Sequence, residues 1–147
     1  MPVLLHDVAT RTSIDSRLGQ LKPTSRPIWG KMSVDQMLWH VNQAMAADLG
    51  YITPPIDRAP LPRPVMRFLV LNMPWPKGAP TNKAFEATAA HDFDEQLARC
   101  RGLIGEITAR SLDQPPNQHP MFGTMSGRAQ SKLHAKHLDH HLRQFGV

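Results

Sequence analysis

The chain is poor in cysteine: Cys100 is the single one among 147 residues, so no disulfide can form within the chain. The lack of a disulfide framework favours a reducing compartment, and we expect a cytoplasmic protein. Cys100 falls on an apolar helical stripe, which predicts a buried and inert thiol rather than a nucleophile.

Long hydrophobic runs are also missing. The run from Phe68 to Leu71 is far shorter than the roughly 20 apolar residues that a bilayer requires. The first residues show no basic region followed by an apolar core. We therefore expect neither a membrane span nor an export signal.

Charge of one sign does not dominate any stretch of the chain. The net charge is +5, but the basic residues are scattered singly among acidic ones. The sequence contains no motif for a DNA-recognition helix and none for aromatic residues that stack on bases. The basic balance predicts a solvated surface and no nucleic-acid partner.

Length and composition indicate one globular domain, residues 1–147. Hydrophobic residues make up 41% of the chain and charged residues 20%, which is typical of a folded protein. A chain of 147 residues can bury a hydrophobic core without disulfide bonds or a structural metal ion to stabilise it.

Apolar residues at helical spacing predict four main helices. The first runs from about residue 7 to 21 and the second from about 33 to 49. The third begins near 92 and ends before the break at 114–120, and the fourth runs from about 126 to 146. Ser33 with Gln36 has capping-box form, and Asp92 with Glu95 has the same spacing. Trp39 lies opposite the apolar stripe of the second helix, which makes it a candidate contact for a homodimer.

Proline is concentrated between the second and third of these helices. Residues 51–81 carry eight of the fourteen prolines, which predicts a long crossover with a short helix at about 65–72. Such a crossover can act as a binding rim, with Trp75 and Lys77 at a pocket mouth. It can equally be a stiff strap that covers the helices.

Histidine is the residue type in which the chain is rich, with four in residues 134–141. His137 and His141 are four apart, so a helix places their imidazoles side by side, at the spacing of metal ligands. His134 shares their buried face. Asp139 and Arg143 point the other way and are expected to form an ordinary surface pair.

A third imidazole is available on the second helix. His40 lies at the flank of the apolar stripe, where it either joins the histidine pair or is a boundary residue bonded to a carbonyl. Gln36, one turn earlier, and His134 are candidates for orienting the rings or contacting a substrate.

Four segments of the chain carry a family resemblance that runs from about residue 10 to the end. Together they resemble a branch of unknown function in the DinB/YfiT-like superfamily. This resemblance implies an all-α four-helix bundle in which one histidine of the second helix and a His-x-x-x-His pair of the fourth hold a divalent metal. Those positions are His40, His137 and His141 here; His119, His134 and His140 have no counterpart. The segments are residues 29–40 (WGKMSVDQMLWH), 74–81 (PWPKGAPT), 119–123 (HPMFG) and 136–146 (KHLDHHLRQFG).

Three functions remain open from the sequence. The first is a metal-dependent enzyme acting on small molecules, because three imidazoles leave coordination positions for water or substrate. We expect Zn or Ni as the ion, and the resemblance implies a transferase, isomerase or hydrolase that could use a low-molecular-weight thiol. The second is a non-catalytic, metal-stabilised module linked to stress. The third is a metal-free helical surface for a protein partner.

Overall fold

The computed structural model describes residues 4–56, 59–78 and 83–147. These residues form five α-helices, one short 3₁₀ helix at Lys83–Phe85 and a two-stranded antiparallel sheet. The elements are α1 (Val8–Leu18), α2 (Val34–Asp48), α3 (Arg63–Asn72), α4 (Phe93–Ala109), β1 (Asn117–His119), β2 (Gly123–Met125) and α5 (Gly127–Gln144).

The main core lies where α1, α2, α4 and α5 meet. α2 packs along α4, while α5 contacts α1, α2 and α3. Each of the four core helices contributes apolar side chains at helical spacing, which removes them from water together. The largest fully buried examples include Ile14, Leu18, Met37, Leu38, Met45, Ile107 and Leu142.

Side-chain caps fix the starts of three helices, and the sequence predicts two of these caps. Gln36 Oε1 accepts from the backbone N–H of Ser33 at 3.1 Å, which completes a capping box at α2. The Asp92 side chain accepts from Glu95 N at 2.8 Å at the start of α4. Ser126 caps α5 in the same way.

Two features differ from the sequence expectation. The short helix predicted at 65–72 begins earlier, at Arg63, and packs against α5 and β2. The break predicted at 114–120 contains the first strand of a small hairpin, in which Asn117 pairs with Met125 and His119 with Gly123. Strands of three residues carry too few positions for an alternating pattern to be visible in the sequence.

One surface prediction is wrong, another stays untested, and one core prediction is confirmed. Asp139 does pair with Arg143, but it is buried because Arg17 also bonds to it, at 2.8 Å. Trp39 is partly buried and stacks on the ring of His91, and its role as a homodimer contact stays a prediction. Cys100 is buried as expected, and burial raises the pKa of its thiol to about 12.

Membrane-spanning elements were also sought. Within residues 4–56, 59–78 and 83–147, no helix combines the length and the hydropathy of a bilayer span.

Candidate metal centre

Three imidazoles from two helices converge on one point. α2 supplies His40 and α5 supplies His137 and His141, and one ring nitrogen of each lies within 4.8 Å of the others. The ring centroids of every pair are 4.8 Å apart. His40 and His141 are buried, whereas His137 keeps part of its surface exposed. This group of three can therefore hold a metal ion that is reached from one side.

His40 is oriented by the main chain of the short 3₁₀ helix. Its Nδ1 lies 2.7 Å from the carbonyl oxygen of Phe85. A carbonyl oxygen can only accept, so Nδ1 carries the proton and donates it. The lone pair of Nε2 is then directed towards His137, whose Nε2 is 2.9 Å away.

His141 is oriented by a side chain of its own helix. Its Nδ1 lies 2.7 Å from Gln144 Oε1, while Gln144 Nε2 donates to the carbonyl oxygen of Trp29 at 2.9 Å. This second bond identifies Oε1 as the acceptor, so His141 Nδ1 is the donor. As in His40, the Nε2 lone pair is the one left for the centre.

Burial keeps all three imidazoles in the neutral form that binds metals. Burial, with a smaller effect of His40, lowers the pKa of His141 to about 3. Burial and the neighbouring rings of His141 and His40 lower the pKa of His137 well below its usual value. The pKa of His40 is lowered by burial, although its bond to Phe85 opposes the shift. Few protons therefore compete with a cation near neutral pH.

Two indole rings and a fourth histidine line the exposed side of the centre. The Trp75 ring centroid lies 5.7 Å from that of His137 and 5.5 Å from that of His140. The ring of Trp29 lies edge-on to His140 at 5.8 Å. Trp75 from the proline-rich segment thus contacts a ring of the three-histidine group.

The other candidate residues make contacts outside this group. Gln36 caps α2 and donates from Nε2 to the carbonyl oxygen of Ala89. His134 bonds through Nε2 to Asp48 Oδ2 at 2.8 Å. His119 accepts the N–H of Met121 through Nδ1. Roles for Gln36 and His134 in orienting the rings or contacting a substrate stay predictions.

Asp48 is the centre of a polar network that the sequence does not reveal. Besides His134, it accepts from Arg110 at 2.6 Å and from Asn117 at 2.9 Å. Burial raises the pKa of the Asp48 carboxyl, but the bonds from His134, Arg110 and Asn117 outweigh it and lower that pKa overall. The network ties α2, the residue after α4, β1 and α5 together, one turn before His137 on α5.

Gln144 and Phe85 are the site residues that sequence reasoning misses. Gln144 stands three positions after His141 on the same face of the helix, and this spacing could have identified it. Phe85 contributes only its backbone carbonyl, for which no side-chain signal exists.

Comparison with known proteins gives one match. The family model described as Protein of unknown function (DUF1569) matches residues 13–146. No curated protein and no solved structure matches the chain. The chemistry of the site must therefore be inferred from its own residues.

Proposed function

The chain belongs to the DUF1569 family, whose function is unknown, and we propose that it is a divalent-metal-binding protein. His40, His137 and His141 would be the protein ligands. We expect Zn or Ni as the ion, because neutral imidazoles are suitable ligands for both.

One observation carries this proposal: the two outer hydrogen bonds leave Nε2 of His40 and His141 unprotonated and facing the same point. His40 Nε2 lies 2.9 Å from His137 Nε2. When no ion is bound, a neutral His137 in its Nε2–H tautomer donates to His40 Nε2, and a metal ion would take the place of that proton. Ligands oriented by an acceptor on the opposite ring nitrogen are the usual arrangement around a bound metal.

A metal-dependent enzyme acting on small molecules is the activity that this arrangement favours. Three protein ligands leave coordination positions open, and the partly exposed His137 marks the side from which a substrate could approach. A bound divalent ion supplies Lewis acidity there, which draws the pKa of a bound water or thiol downwards. The Nδ1 protons of His40 and His141 point away from the centre, and the ring of Trp75 packs against that of His137. Transferase, isomerase and hydrolase reactions, with or without a low-molecular-weight thiol, fit this chemistry.

A DinB/YfiT-like four-helix bundle is the architecture that we propose for this site. Its helices would be α1, α2, α4 and α5, with α3 in the proline-rich crossover. The support is that those four helices supply the main core and that α2 and α5 carry the three histidines.

A non-catalytic, metal-stabilised module is the second candidate. The ligands come from α2 and α5, so a bound ion would cross-link two helices that are about a hundred residues apart in the chain. This role requires no exchangeable coordination position. If there is none, the visible spectrum of the cobalt-substituted protein will not change when ligands are added.

Metal stoichiometry tests the proposal. The purified protein, saturated with Zn²⁺ or Ni²⁺ and dialysed, is expected to retain one ion per chain by elemental analysis. A His137→Ala variant should retain much less, because one of three ligands is lost. His91→Ala is the matched control, since His91 is partly buried against Trp39 and does not belong to the group. Metal-free wild type, or equal retention by His137→Ala, would contradict the proposal.

A further inference from the structure

The exposed side of the metal centre carries two lysines as well as two tryptophans. We use "the rim" for Trp29, Trp75, Lys77, Lys136 and His140. Lys77 Nζ lies 4.9 Å from the ring centroid of Trp29, and Lys136 Nζ lies 5.8 Å from that of Trp75. Each indole of the rim is thus paired with one ammonium group.

The rim lies directly over the candidate ligands. His140 contacts both indoles and is next in the chain to His141, with ring centroids 5.1 Å apart. Trp75 also contacts the ring of His137 itself. A molecule bound to the open side of the centre would therefore contact the rim.

The charges of the rim are not balanced by acidic side chains. In the described part of the chain, each carboxylate that forms an ion pair has an arginine or a histidine as its partner. Within the same residues, neither Lys77 nor Lys136 is paired with one. Lys136 Nζ donates to the carbonyl oxygen of Met73 at 2.7 Å, which fixes its position without neutralising it. Imidazole is a neutral ligand, so a divalent ion held by the three histidines would keep its two positive charges.

We infer that the rim binds a small anionic molecule with an apolar body, its carboxylate or phosphate at Lys77 and Lys136 and its apolar part against Trp29 and Trp75. This inference rests on the proposed metal centre, because the same molecule would supply a ligand to the ion. Ammonium groups favour an anion by charge, and the indoles add apolar contact area. Substrates that are neutral or cationic would lack a partner for either lysine.

Two small thiols of nearly equal size, mercaptoacetate and mercaptoacetamide, test the charge preference. Both can bind cobalt through sulfur, and binding is followed by the thiolate-to-cobalt absorption of the cobalt-substituted protein. Because the two thiols differ in acidity, the readout is the ratio of their dissociation constants in each variant. We expect the Lys77→Met and Lys136→Met double variant to lower the preference for mercaptoacetate by roughly tenfold or more relative to wild type.

A charge control and an apolar control complete the experiment. Lys22→Met removes one charge from an exposed side chain in the loop after α1 and should leave the ratio unchanged. Thiomandelate, which adds a phenyl ring to mercaptoacetate, should bind wild type more tightly than mercaptoacetate and lose that gain in Trp75→Leu.

The outcomes separate the two proposals. A protein that binds no cobalt contradicts the metal centre, and this inference with it. A protein that binds one cobalt ion, but whose ratio is the same in wild type and the double variant, contradicts the anionic substrate alone. Cobalt content and circular dichroism of each variant exclude loss of the fold as the cause.

Discussion

Gln144 connects the candidate metal centre to the loop that precedes α2. Its Oε1 accepts the proton of His141 Nδ1, and its Nε2 donates to the carbonyl oxygen of Trp29. The side chain is almost fully buried, so water cannot replace these bonds easily. One glutamine therefore sets both the tautomer of a ligand and the position of a rim residue.

Replacing Gln144 by methionine should weaken metal binding without removing a ligand. Methionine has a similar size but cannot accept the proton of His141, and loss of such a partner reduces metal affinity by about ten- to a hundredfold. Gln144→Glu keeps the acceptor and should recover most of the affinity. Competition with a chromophoric chelator measures it, with exposed Gln20→Met as the control. Equal affinities in Gln144→Met and wild type would exclude the orienting role.

At the residue scale, the sequence predicts side chains better than their partners. The spacing of His137 and His141 on α5 follows from helical geometry, and the structure brings His40 to them. The resemblance, not the spacing, is what selects His40. The partners Phe85 and Asp48 could not be predicted, because they lie far from the histidines in the chain and depend on how the elements pack.

Among the elements, the loop between α1 and α2 is fitted closely to α5. Gly30 has a φ of +82°, and a Cβ at this position would lie 2.6 Å from Gln144 Nε2. The backbone of Ile28 also donates to the carbonyl oxygen of Gln144 at 2.7 Å. The loop therefore has room for the glutamine only while residue 30 has no side chain.

Gly30→Ala should lower both stability and metal affinity, whereas Gly50→Ala should lower stability alone. Both glycines have nearly the same positive φ, and alanine in this conformation costs about 1–2 kcal/mol. Only Gly30 has Gln144 in contact; nothing lies within 4 Å of a Cβ at Gly50. Urea unfolding and chelator competition on the two variants measure both effects. Equal metal affinities would show that the Gln144 amide does not depend on Gly30.

The elements differ in how well the sequence predicts them. α2 and α4 combine side-chain caps with an apolar stripe, and both begin where these signals place them. The hairpin of β1 and β2 was missed because its strands are short and because Asn117 is held by Asp48 and Gln130, which are on other elements. Tertiary bonds of this kind leave no local pattern.

For the whole molecule, buried histidines couple stability to pH. His119 is partly buried and is the example outside the ligand group: loss of contact with water, and to a smaller extent His134, lower its pKa to about 4, although Asp48 opposes the shift. The unfolded chain has the ordinary histidine pKa of about 6.5 and therefore takes up the proton first as the pH falls. His119 thus contributes stability above pH 6.5 that is lost between pH 6.5 and 4.

A His119→Asn variant should be less sensitive to acid than the wild type. Asparagine can still accept the N–H of Met121 but does not titrate in this range. The free energy of unfolding of the metal-free wild type should fall by about 2 kcal/mol more than that of the variant between pH 7 and pH 5. Urea titrations at the two pH values measure the difference. Parallel losses would mean that His119 is protonated alike in folded and unfolded protein.

The carbonyl of Phe85 has a consequence for how this protein would respond to mutagenesis. Every amino acid at position 85 supplies the same oxygen, so the direction of the His40 ring is encoded by the path of the main chain and not by the identity of a residue. A complete substitution scan would score position 85 by the packing of its aromatic ring and would leave the bond to His40 unseen. Only an altered backbone, such as an ester linkage in place of an amide, would weaken that acceptor directly.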